Sequence, residues 1–545
     1  MCYSREMFQL ERPANEPIRA YEPGSPQRAQ LKAELDRQAG LTIDIPNVID
    51  GKSVMGADKR TLVMPHDHRR SLGSFYRSSP ARMHDAVAAA LRAKPAWEAM
   101  PWKDRALIFL KAADLIAGPY RDRLNAATML GQSKNAFQAE IDSACELIDF
   151  LRFNPYFYQE IQKIQPCSAP GISNATEQRP LEGFILAITP FNFTAIAANL
   201  PAAPALLGNT VVWKPSDTQM LSAYYTMEIF REAGLPDGVI NLVAADGPLM
   251  GKTLLPHRDL AGVHFTGSTE TFQSIWRTVG ENIANYRSYP RLVGETGGKD
   301  FIFAHASADV DALATALVRG AFEYQGQKCS AASRAYIPQS IWRQLQATLV
   351  AQLSSVSVGD VRDFKNLVNA VIDERAFDRI NGYLEHAKNS PDAKIIYGGK
   401  ATREVGYFVE PTVIQALQPN YKSMVEEIFG PVLTVYVYED ARLDETLELC
   451  DRSTPYSLTG AIFAQDRYII QHMSEKLKHA AGNFYINDKP TGAVVGQQPF
   501  GGGRASGTND KAGSSLNLTR WLSPRTVKET YVPAKDYRYP FMNES

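Results

Sequence analysis

Short apolar segments alternate with longer helical segments from residue 183 onwards, and this alternation restricts the fold more than any other feature of the chain. Apolar runs at residues 184–189, 210–213, 239–243 and 262–265 are separated by helical patterns such as residues 217–233. Strands that alternate with helices form parallel sheets, because each helix returns the chain to the same edge of the sheet. The sequence therefore predicts an α/β domain of the nucleotide-binding type. No G-x-G-x-x-G motif follows the first strand, so an ordinary dinucleotide fingerprint is missing.

A second strand–helix series follows in the C-terminal half. Strands are predicted at residues 301–303, 334–337, 433–438 and 461–464, with a helix at 310–324. This series predicts a second parallel-sheet domain. Upstream of both series, long amphipathic helices are predicted at residues 104–117 and 140–153, the second ending at Asn154-Pro155.

Two segments stand apart from this pattern. Residues 161–177 contain two prolines and several turn-forming residues, which predicts strands and turns that leave the domain. Residues 516–532 alternate weakly between apolar and polar side chains, which is typical of a strand able to pair with a neighbouring subunit.

The composition bounds the class of protein. A chain of 545 residues with 44% hydrophobic and 21% charged residues predicts a globular protein of two or three packed units. The net charge of −1 argues against a nucleic-acid-binding protein, and no run of eighteen apolar residues predicts a membrane span. Five scattered cysteines without C-x-x-C spacing favour a reducing compartment. His66 and His68 are the only close histidine pair, so we expect no metal site.

The N-terminal segment, to about residue 26, is predicted to be an extended arm on the surface. It lacks the apolar core of a signal peptide, and Glu6, Glu11 and Glu16 fit a mitochondrial presequence poorly. We therefore expect a bacterial-type cytoplasm, with the mitochondrial matrix as the alternative.

One cysteine lies in a setting suited to chemistry. Cys329 follows Gly326, Gln327 and Lys328 and precedes small residues that leave its sulfur uncrowded. A lysine and backbone N–H groups nearby would favour the thiolate, which is the nucleophilic form. The alternative is a small buried apolar residue, as most lone cysteines are.

Five further motifs accompany Cys329. Three of them, at the ends of predicted strands, are TPFNFT (189–194), WKPSD (213–217) and FTGS (265–268). The others are ETGGK (295–299) and EIFGP (427–431). Each is weak alone, but together and in this order they resemble the aldehyde dehydrogenase superfamily, from about residue 45 to the C-terminus. The segments QAEID (138–142), GQKCSA (326–331), GNFYIN (482–487) and GTNDK (507–511) resemble its L-glutamate γ-semialdehyde (Δ1-pyrroline-5-carboxylate) dehydrogenase branch, in the form without a proline-oxidising domain.

The resemblance implies a fold and a domain arrangement. It implies an aldehyde dehydrogenase-like α/β fold with two Rossmann-type parallel-sheet domains and a small β oligomerisation element. The expected parts are an N-terminal arm (1–44), a NAD-binding domain (45–158 and 180–294), an oligomerisation element (159–179 and 515–545) and a catalytic domain (295–514). A homodimer or higher homo-oligomer is expected.

The resemblance also implies three catalytic residues. Cys329 would attack the aldehyde carbon, and the amide of Asn192 with the N–H of Cys329 would bind the developing oxyanion. Glu295 would act as the base that activates water against the resulting thioester. The alternatives are a turn or capping residue for Asn192 and a solvated or salt-bridged carboxylate for Glu295.

NAD is the implied cofactor. Lys214 would donate to the adenosine ribose and Asp217 would accept from it, and an acid there would repel the 2′-phosphate of NADP. Otherwise this pair is a surface lysine and a helix N-cap. Glu427 would hold the nicotinamide ribose beside Phe429. The pyrophosphate would lie along Thr189 and a helix start formed by Gly267, Ser268, Thr269, Glu270 and Thr271.

The implied substrate, glutamate γ-semialdehyde, is a small zwitterion, so the site must bind a carboxylate and an ammonium. The backbone N–H groups of Gly492 and Ala493 would cradle the carboxylate, where some members of the branch carry serine in place of Ala493. Five further side chains are implied: Ser330 and Lys328 toward the carboxylate, Glu146 toward the ammonium, and Phe193 and Phe500 along the aliphatic part.

Three other functions compete with this hypothesis. The first is a dehydrogenase of another small aldehyde, which the carboxylate-binding loop disfavours. The second is a cysteine hydrolase, but no histidine stands in a recognisable relation to Cys329. The third is a former dehydrogenase retained for binding, which would be expected to have lost Cys329, Asn192 or Glu295.

Overall fold

The computed structural model describes residues 9–542 and contains two seven-stranded sheets. In the first sheet, the four predicted strands are parallel neighbours, and a fifth parallel strand, Arg291–Glu295, lies beside them. An N-terminal antiparallel hairpin extends this sheet at one edge. In sheet order the strands are Arg291–Glu295, Leu260–Thr266, Phe184–Ile188, Thr210–Lys214, Ile240–Leu242, Asn47–Ile49 and Lys52–Val54.

The second sheet contains the four strands predicted in the C-terminal half. All neighbours pair in parallel except the first strand, which is antiparallel. In sheet order the strands are Ala393–Tyr397, Thr412–Ala416, Val432–Tyr438, Ala332–Pro338, Asp300–Ala304, Thr459–Phe463 and Asn483–Ile486.

Helices cover both faces of each sheet. Alternate residues of one strand enter different cores: Ile185 and Ala187 pack in one hydrophobic cluster, and Phe184 and Leu186 in another. This burial on both faces explains why the strands are continuous apolar runs in the sequence. The longer helices are Pro80–Ala99, Trp102–Ala117, Arg121–Gln132, Leu147–Gln162, Thr194–Leu206, Met220–Ala233, Gly247–Leu254, Thr269–Glu281, Val310–Phe322, Gln339–Ser354, Glu374–Asn389, Leu443–Arg452 and Arg467–Lys476.

The helix expected to end at Asn154-Pro155 continues. A π-helical segment, Glu140–Glu146, leads into the helix Leu147–Gln162, and Pro155 lies inside it. Proline removes one backbone hydrogen bond, but Tyr158 and Ile161 beyond it are buried. Packing of this apolar face outweighs the lost bond, so the predicted end was wrong.

Residues 9–25 contain no helix or strand, in agreement with the extended segment predicted to about residue 26, and a helix that was not predicted follows them. The helix Pro26–Ala39 begins with proline in its first turn and is capped by Ser25, whose hydroxyl accepts from the N–H of Arg28. Its Leu31 and Leu35 are buried, which fastens it to the body of the protein. Glu6, together with the first eight residues, lies outside the described part of the chain.

Four smaller β elements complete the fold. Ile172–Pro180 pairs antiparallel with Leu522–Thr530 in a two-stranded ribbon, so the C-terminal strand pairs within its own chain. A three-stranded sheet has the order Ile43–Ile45, Asp67–Arg77 and Asp58–Met64. The strand pairs Ala401–Thr402 with Phe408–Val409, and Tyr456–Ser457 with Gly503–Arg504, are short. Among residues 9–542, no helix is long and apolar enough to cross a membrane.

Candidate active site

The candidate coenzyme residues of the first sheet lie where parallel strands end. Thr189 follows Phe184–Ile188, and Gly267 follows Leu260–Thr266. Lys214 and Glu295 are the last residues of their own strands. Because these strands are parallel neighbours, their carboxyl ends meet at one edge of the sheet, where α/β proteins bind ligands.

Cys329 enters this region from the second sheet, on a tightly bent loop. Tyr324, Gln325 and Gly326 have φ values of +50°, +55° and +64°, and the loop leads into the strand Ala332–Pro338. A Cβ at position 326 would lie 2.2 Å from the carbonyl oxygen of Gly430, so only glycine fits there. The Gln325 amide donates to the carbonyls of Ser133 (2.9 Å) and Ala370 (2.8 Å), which holds the strained turn in place.

Asn192 connects the two sheets at the cysteine. Its side-chain Nδ2 donates to the carbonyl oxygen of Gln327 at 3.0 Å, two residues before Cys329. Asn192 is buried, so its position is determined by this contact and by packing. One of its two N–H groups is engaged there, and an amide carries a second donor.

The electrostatic setting of Cys329 differs from the sequence-based prediction. Lys328 does not favour a thiolate, because its Nζ forms a buried ion pair with Glu323 at 3.0 Å. Burial raises the pKa of Cys329, and the carboxylates of Asp300, Glu295 and Glu427 raise it further. The thiol is therefore protonated at neutral pH, and it must lose its proton before its sulfur can act as a nucleophile.

Glu295 faces a glycine-rich loop. Its Oε2 accepts from the backbone N–H of Gly502 at 3.1 Å. Burial raises the pKa of Glu295 well above the ordinary carboxyl range, while the Gly502 N–H and then Lys511 act in the opposite direction. A carboxylate tuned upward in this way can accept a proton near neutral pH.

A cavity of about 400 Å³ opens beside Lys214 and Asp217. Both side chains line it, as does Arg77, which binds Oδ2 of Asp217 through Nε (3.0 Å) and Nη2. The other oxygen, Oδ1, is buried without a hydrogen-bond partner among the described residues. Sequence analysis missed Arg77, which lies 140 residues from Asp217 and carries no local signal of this pairing.

The N-terminus of the helix Thr269–Glu281 is accessible to a ligand on one side. Ser268 caps it by accepting from the N–H of Thr271 at 3.3 Å, and Ser268, Glu270 and Thr271 are exposed at the rim. Thr269 lies deeper, where its hydroxyl accepts from the N–H of Gly297 at 3.3 Å. Unpaired N–H groups at a helix N-terminus favour an anion such as a pyrophosphate.

Glu427 lies against the ETGGK segment. Its Oε1 accepts from the N–H of Gly298 at 2.8 Å, and burial raises its pKa. Phe429, with φ of +57°, packs edge-on against Phe191 at 5.9 Å between ring centroids. The structure thus brings Glu427 to the same loop region as Glu295.

The predicted substrate residues come from distant segments. Ser330 shares a hydrogen bond of 2.8 Å with Thr491, directly before Gly492 and Ala493. Gly492 has φ of +96°, and Phe500 pairs with Ala512 in an isolated bridge. Thr491 was missed by sequence analysis, although its place beside Gly492 was a usable signal.

Glu146 is the last residue of the π-helical segment, and its half-buried side chain has no ion pair or hydrogen bond within residues 9–542. Burial raises its pKa to about 8, and the nearby Asp142 adds to this shift. A carboxyl group that is desolvated without a partner is a binding-site signature, because an incoming cation would compensate for the cost.

A buried ion pair supports the same region and was also missed. Lys134 Nζ binds Asp142 Oδ2 at 2.7 Å, and both side chains are fully buried. Lys134 also lies 4.0 Å from the ring centroid of Phe193. The pair therefore connects the π-helical segment to the loop that carries Asn192 and Phe193.

The aldehyde dehydrogenase family model matches residues 54–527 of the chain. The chain belongs to the aldehyde dehydrogenase family. This confirms the superfamily resemblance, and the two sheets confirm the α/β fold class. The matched range includes the second sheet, the five parallel strands of the first sheet and the loops that carry Cys329, Asn192 and Glu295.

Similar proteins narrow the branch of the aldehyde dehydrogenase family. A mitochondrial Delta-1-pyrroline-5-carboxylate dehydrogenase of Dictyostelium discoideum is 52% identical over 97% of this chain and 96% of its own length. The human protein of the same name is 49% identical, over 97% and 94%. The crystal structure of the Mycobacterium tuberculosis Delta-pyrroline-5-carboxylate dehydrogenase bound with NAD covers 99% of this chain and 100% of its own, with 52% identity and a TM-score of 0.96.

Proposed function

We propose that this aldehyde dehydrogenase oxidises L-glutamate γ-semialdehyde, formed by hydrolysis of Δ1-pyrroline-5-carboxylate, to L-glutamate with NAD in proline catabolism. The observation that carries the proposal is the convergence of Cys329, Asn192 and Glu295 where the two sheets meet. Relatives that are about 50% identical over nearly the whole chain are named for this substrate.

The cavity beside Lys214 fits a nicotinamide coenzyme. The buried Oδ1 of Asp217 needs a donor, and a ribose hydroxyl would supply one. Lys214 and Asp217 would hold the adenosine ribose. Thr189 and the helix start from Gly267 to Thr271 would hold the pyrophosphate, and Glu427 with Phe429 the nicotinamide ribose. When bound, NAD⁺ accepts the hydride that leaves the substrate carbon.

Cys329 and Asn192 serve the first half of the reaction. The Cys329 sulfur, after losing its proton, bonds to the aldehyde carbon while the carbonyl electron pair moves to oxygen. The Asn192 amide and the Cys329 N–H stabilise that oxyanion, a contribution of about 3–4 kcal/mol for one well-placed donor. Loss of hydride from the same carbon leaves a thioester on Cys329.

Glu295 serves the second half. Its carboxylate takes a proton from water, the water oxygen bonds to the thioester carbon, and the carbon–sulfur bond breaks. The products are the γ-carboxylate of glutamate and the Cys329 thiolate. The raised pKa of Glu295 matches it to this task near neutral pH.

The substrate's charged end would be bound by the second set of residues. Glu146 meets the ammonium, and the N–H groups of Gly492 and Ala493 with the Ser330 hydroxyl meet the carboxylate. Lys328, which is ion-paired with Glu323, contributes a positive charge near the substrate carboxylate. Phe193 and Phe500 enclose the aliphatic part.

Assembly, domain limits and compartment belong to the same proposal. We expect at least a homodimer, formed through the oligomerisation element (159–179 and 515–545), with the NAD-binding and catalytic domains divided near residue 295. For the compartment we retain the bacterial-type cytoplasm and the mitochondrial matrix. The word mitochondrial in the names of the Dictyostelium and human relatives supports the matrix.

The test is NADH formation with pyrroline-5-carboxylate, propanal and succinate semialdehyde by the wild type and by Cys329→Ala. We expect strong preference for pyrroline-5-carboxylate, a loss of at least about a thousandfold in Cys329→Ala, and no change in the exposed-cysteine control Cys167→Ala. Equal rates on all three aldehydes would favour the alternative, a dehydrogenase of another small aldehyde. If no aldehyde is oxidised with either NAD or NADP, the proposal that the protein is an aldehyde dehydrogenase enzyme is refuted.

A further inference from the structure

Lys511 lies behind Glu295 with every ammonium proton engaged. Its Nζ donates to the carbonyl oxygens of Gly482 (2.7 Å) and Gly501 (2.9 Å), and a third, longer contact of 3.4 Å reaches Oδ1 of Asn483. An ammonium has three donors, so none is left for a substrate. Any influence of Lys511 on the reaction must therefore pass through a neighbouring group.

One peptide unit joins Lys511 to Glu295. The carbonyl of Gly501, which binds Lys511, and the N–H of Gly502, which donates to Glu295, belong to the same peptide. A trans peptide directs its oxygen and its N–H to opposite sides. A cation at the oxygen and a carboxylate at the N–H polarise this peptide in the same sense, so each strengthens the other's hydrogen bond.

The surroundings hold this peptide in one orientation. Oδ1 of Asn483 accepts from the N–H of Gly501, in the adjoining Phe500–Gly501 peptide, at 3.1 Å, which fixes the residue that both peptides share. A Cβ at Gly501 would lie 3.0 Å from Oε1 of Glu295 and 3.2 Å from the backbone nitrogen of Lys511. The glycine therefore permits a close approach of carboxylate and loop that a side chain would prevent.

We propose that Lys511 is a positioning residue for Glu295. Through the Gly501–Gly502 peptide, Lys511 orients the Glu295 carboxylate and favours its ionised form. The inference rests on the proposed role of Glu295 as the base for thioester hydrolysis. It assigns to Lys511 an effect on that half-reaction alone, because hydride transfer precedes the need for the base.

The experiment compares wild type with Lys511→Met, which keeps the aliphatic stem and removes the charge. Pre-steady-state NADH release reports the first half-reaction, and glutamate release after the burst reports hydrolysis. We expect the acid limb of the hydrolysis rate to move up by about one pH unit in Lys511→Met, which is about a tenfold loss at pH values below the limb. The rate should recover above the shifted limb, with burst amplitude and KM within about twofold of wild type.

Two variants control for charge and for general damage. Lys511→Arg keeps a cation at this position and should retain the wild-type acid limb. Lys478→Met removes an exposed lysine shortly before Gly482 and should change nothing. If Lys511→Met does not fold, Asn483→Ala removes one acceptor of Lys511 and the hydrogen bond to the adjoining Phe500–Gly501 peptide, and it should shift the limb in the same direction.

The proposal would be overturned if Lys511→Met slowed hydrolysis equally at every pH without moving the acid limb. A slower NADH burst in Lys511→Met would overturn it as well. A wild type that forms no NADH from pyrroline-5-carboxylate would instead refute the proposed function, so the two failures are distinguishable.

Discussion

At the scale of single residues, the ionisation of Glu146 should be coupled to the binding of the substrate ammonium. Burial raises its pKa to about 8, so it is largely protonated at pH 7 without a ligand. A bound ammonium would favour the charged form. Binding of the semialdehyde should therefore strengthen as pH rises toward about 8, since less free energy is spent on removing the proton.

Glu146→Gln tests this coupling. The amide cannot ionise, so we expect KM for the semialdehyde to rise about tenfold and to lose its dependence on pH between about 6 and 8. KM for propanal, which has no ammonium, should stay within about twofold. A parallel rise for both aldehydes would show that Glu146 maintains the shape of the site and does not bind the ammonium.

At the scale of elements, Asp142 holds three segments together. Its carboxylate binds Lys134 and accepts from the N–H groups of Thr194 (3.0 Å) and Ala195 (2.8 Å), at the start of the helix Thr194–Leu206. The helix thus takes its N-terminal cap from a residue 52 positions earlier in the chain. Sequence analysis recognised the segment that contains Asp142 but had no means of assigning it this contact.

Asp142→Ala should reduce the free energy of unfolding by about 3–5 kcal/mol, because it leaves Lys134 charged and unpaired in the interior. Chemical denaturation measures this loss. Asp85→Ala, which removes an exposed partner of Arg82, is the matched control and should cost at most about 1 kcal/mol. A loss for Asp142→Ala no larger than the control would mean that Lys134 is neutral or finds another acceptor.

At the scale of the whole molecule, the ribbon of Ile172–Pro180 and Leu522–Thr530 has exposed or half-buried side chains at every position except Leu522. Exposed Tyr531, Val532, Tyr537 and Phe541 follow it. A two-stranded ribbon is marginally stable alone, and apolar side chains beyond it gain from burial against another copy. This is consistent with the proposed role of the ribbon in a homodimer.

A chain ending at Leu522 tests the assembly. We expect the full-length protein to have at least the mass of a dimer by light scattering and the truncated protein to be a monomer. Its far-ultraviolet circular dichroism should be nearly unchanged, because the deleted strand buries little. A truncated protein of unchanged mass would place the interface elsewhere.

Much of the fold followed from local patterns in the sequence. The eight strands predicted in the two series occur within a few residues of their observed bounds, because continuous apolar runs that are buried on both faces carry a strong signal. The helix at Pro26–Ala39 was missed because its buried residues are few and its surface is polar. The helix through Pro155 was cut short because burial of its far end cannot be judged from the sequence.

Strand ends in the sequence predicted that Thr189, Lys214 and Gly267 meet at one edge of the first sheet, and the family resemblance placed Cys329, Asn192 and Glu295 beside them. The partners of the charged side chains became known from the three-dimensional structure. Lys328 binds Glu323 and leaves Cys329 protonated, Arg77 neutralises Asp217, and Lys511 acts on Glu295 through a peptide. These contacts join segments up to 207 residues apart, as for Gly502 and Glu295. Electrostatic interactions depend on distance and burial in space, which spacing along the chain does not record.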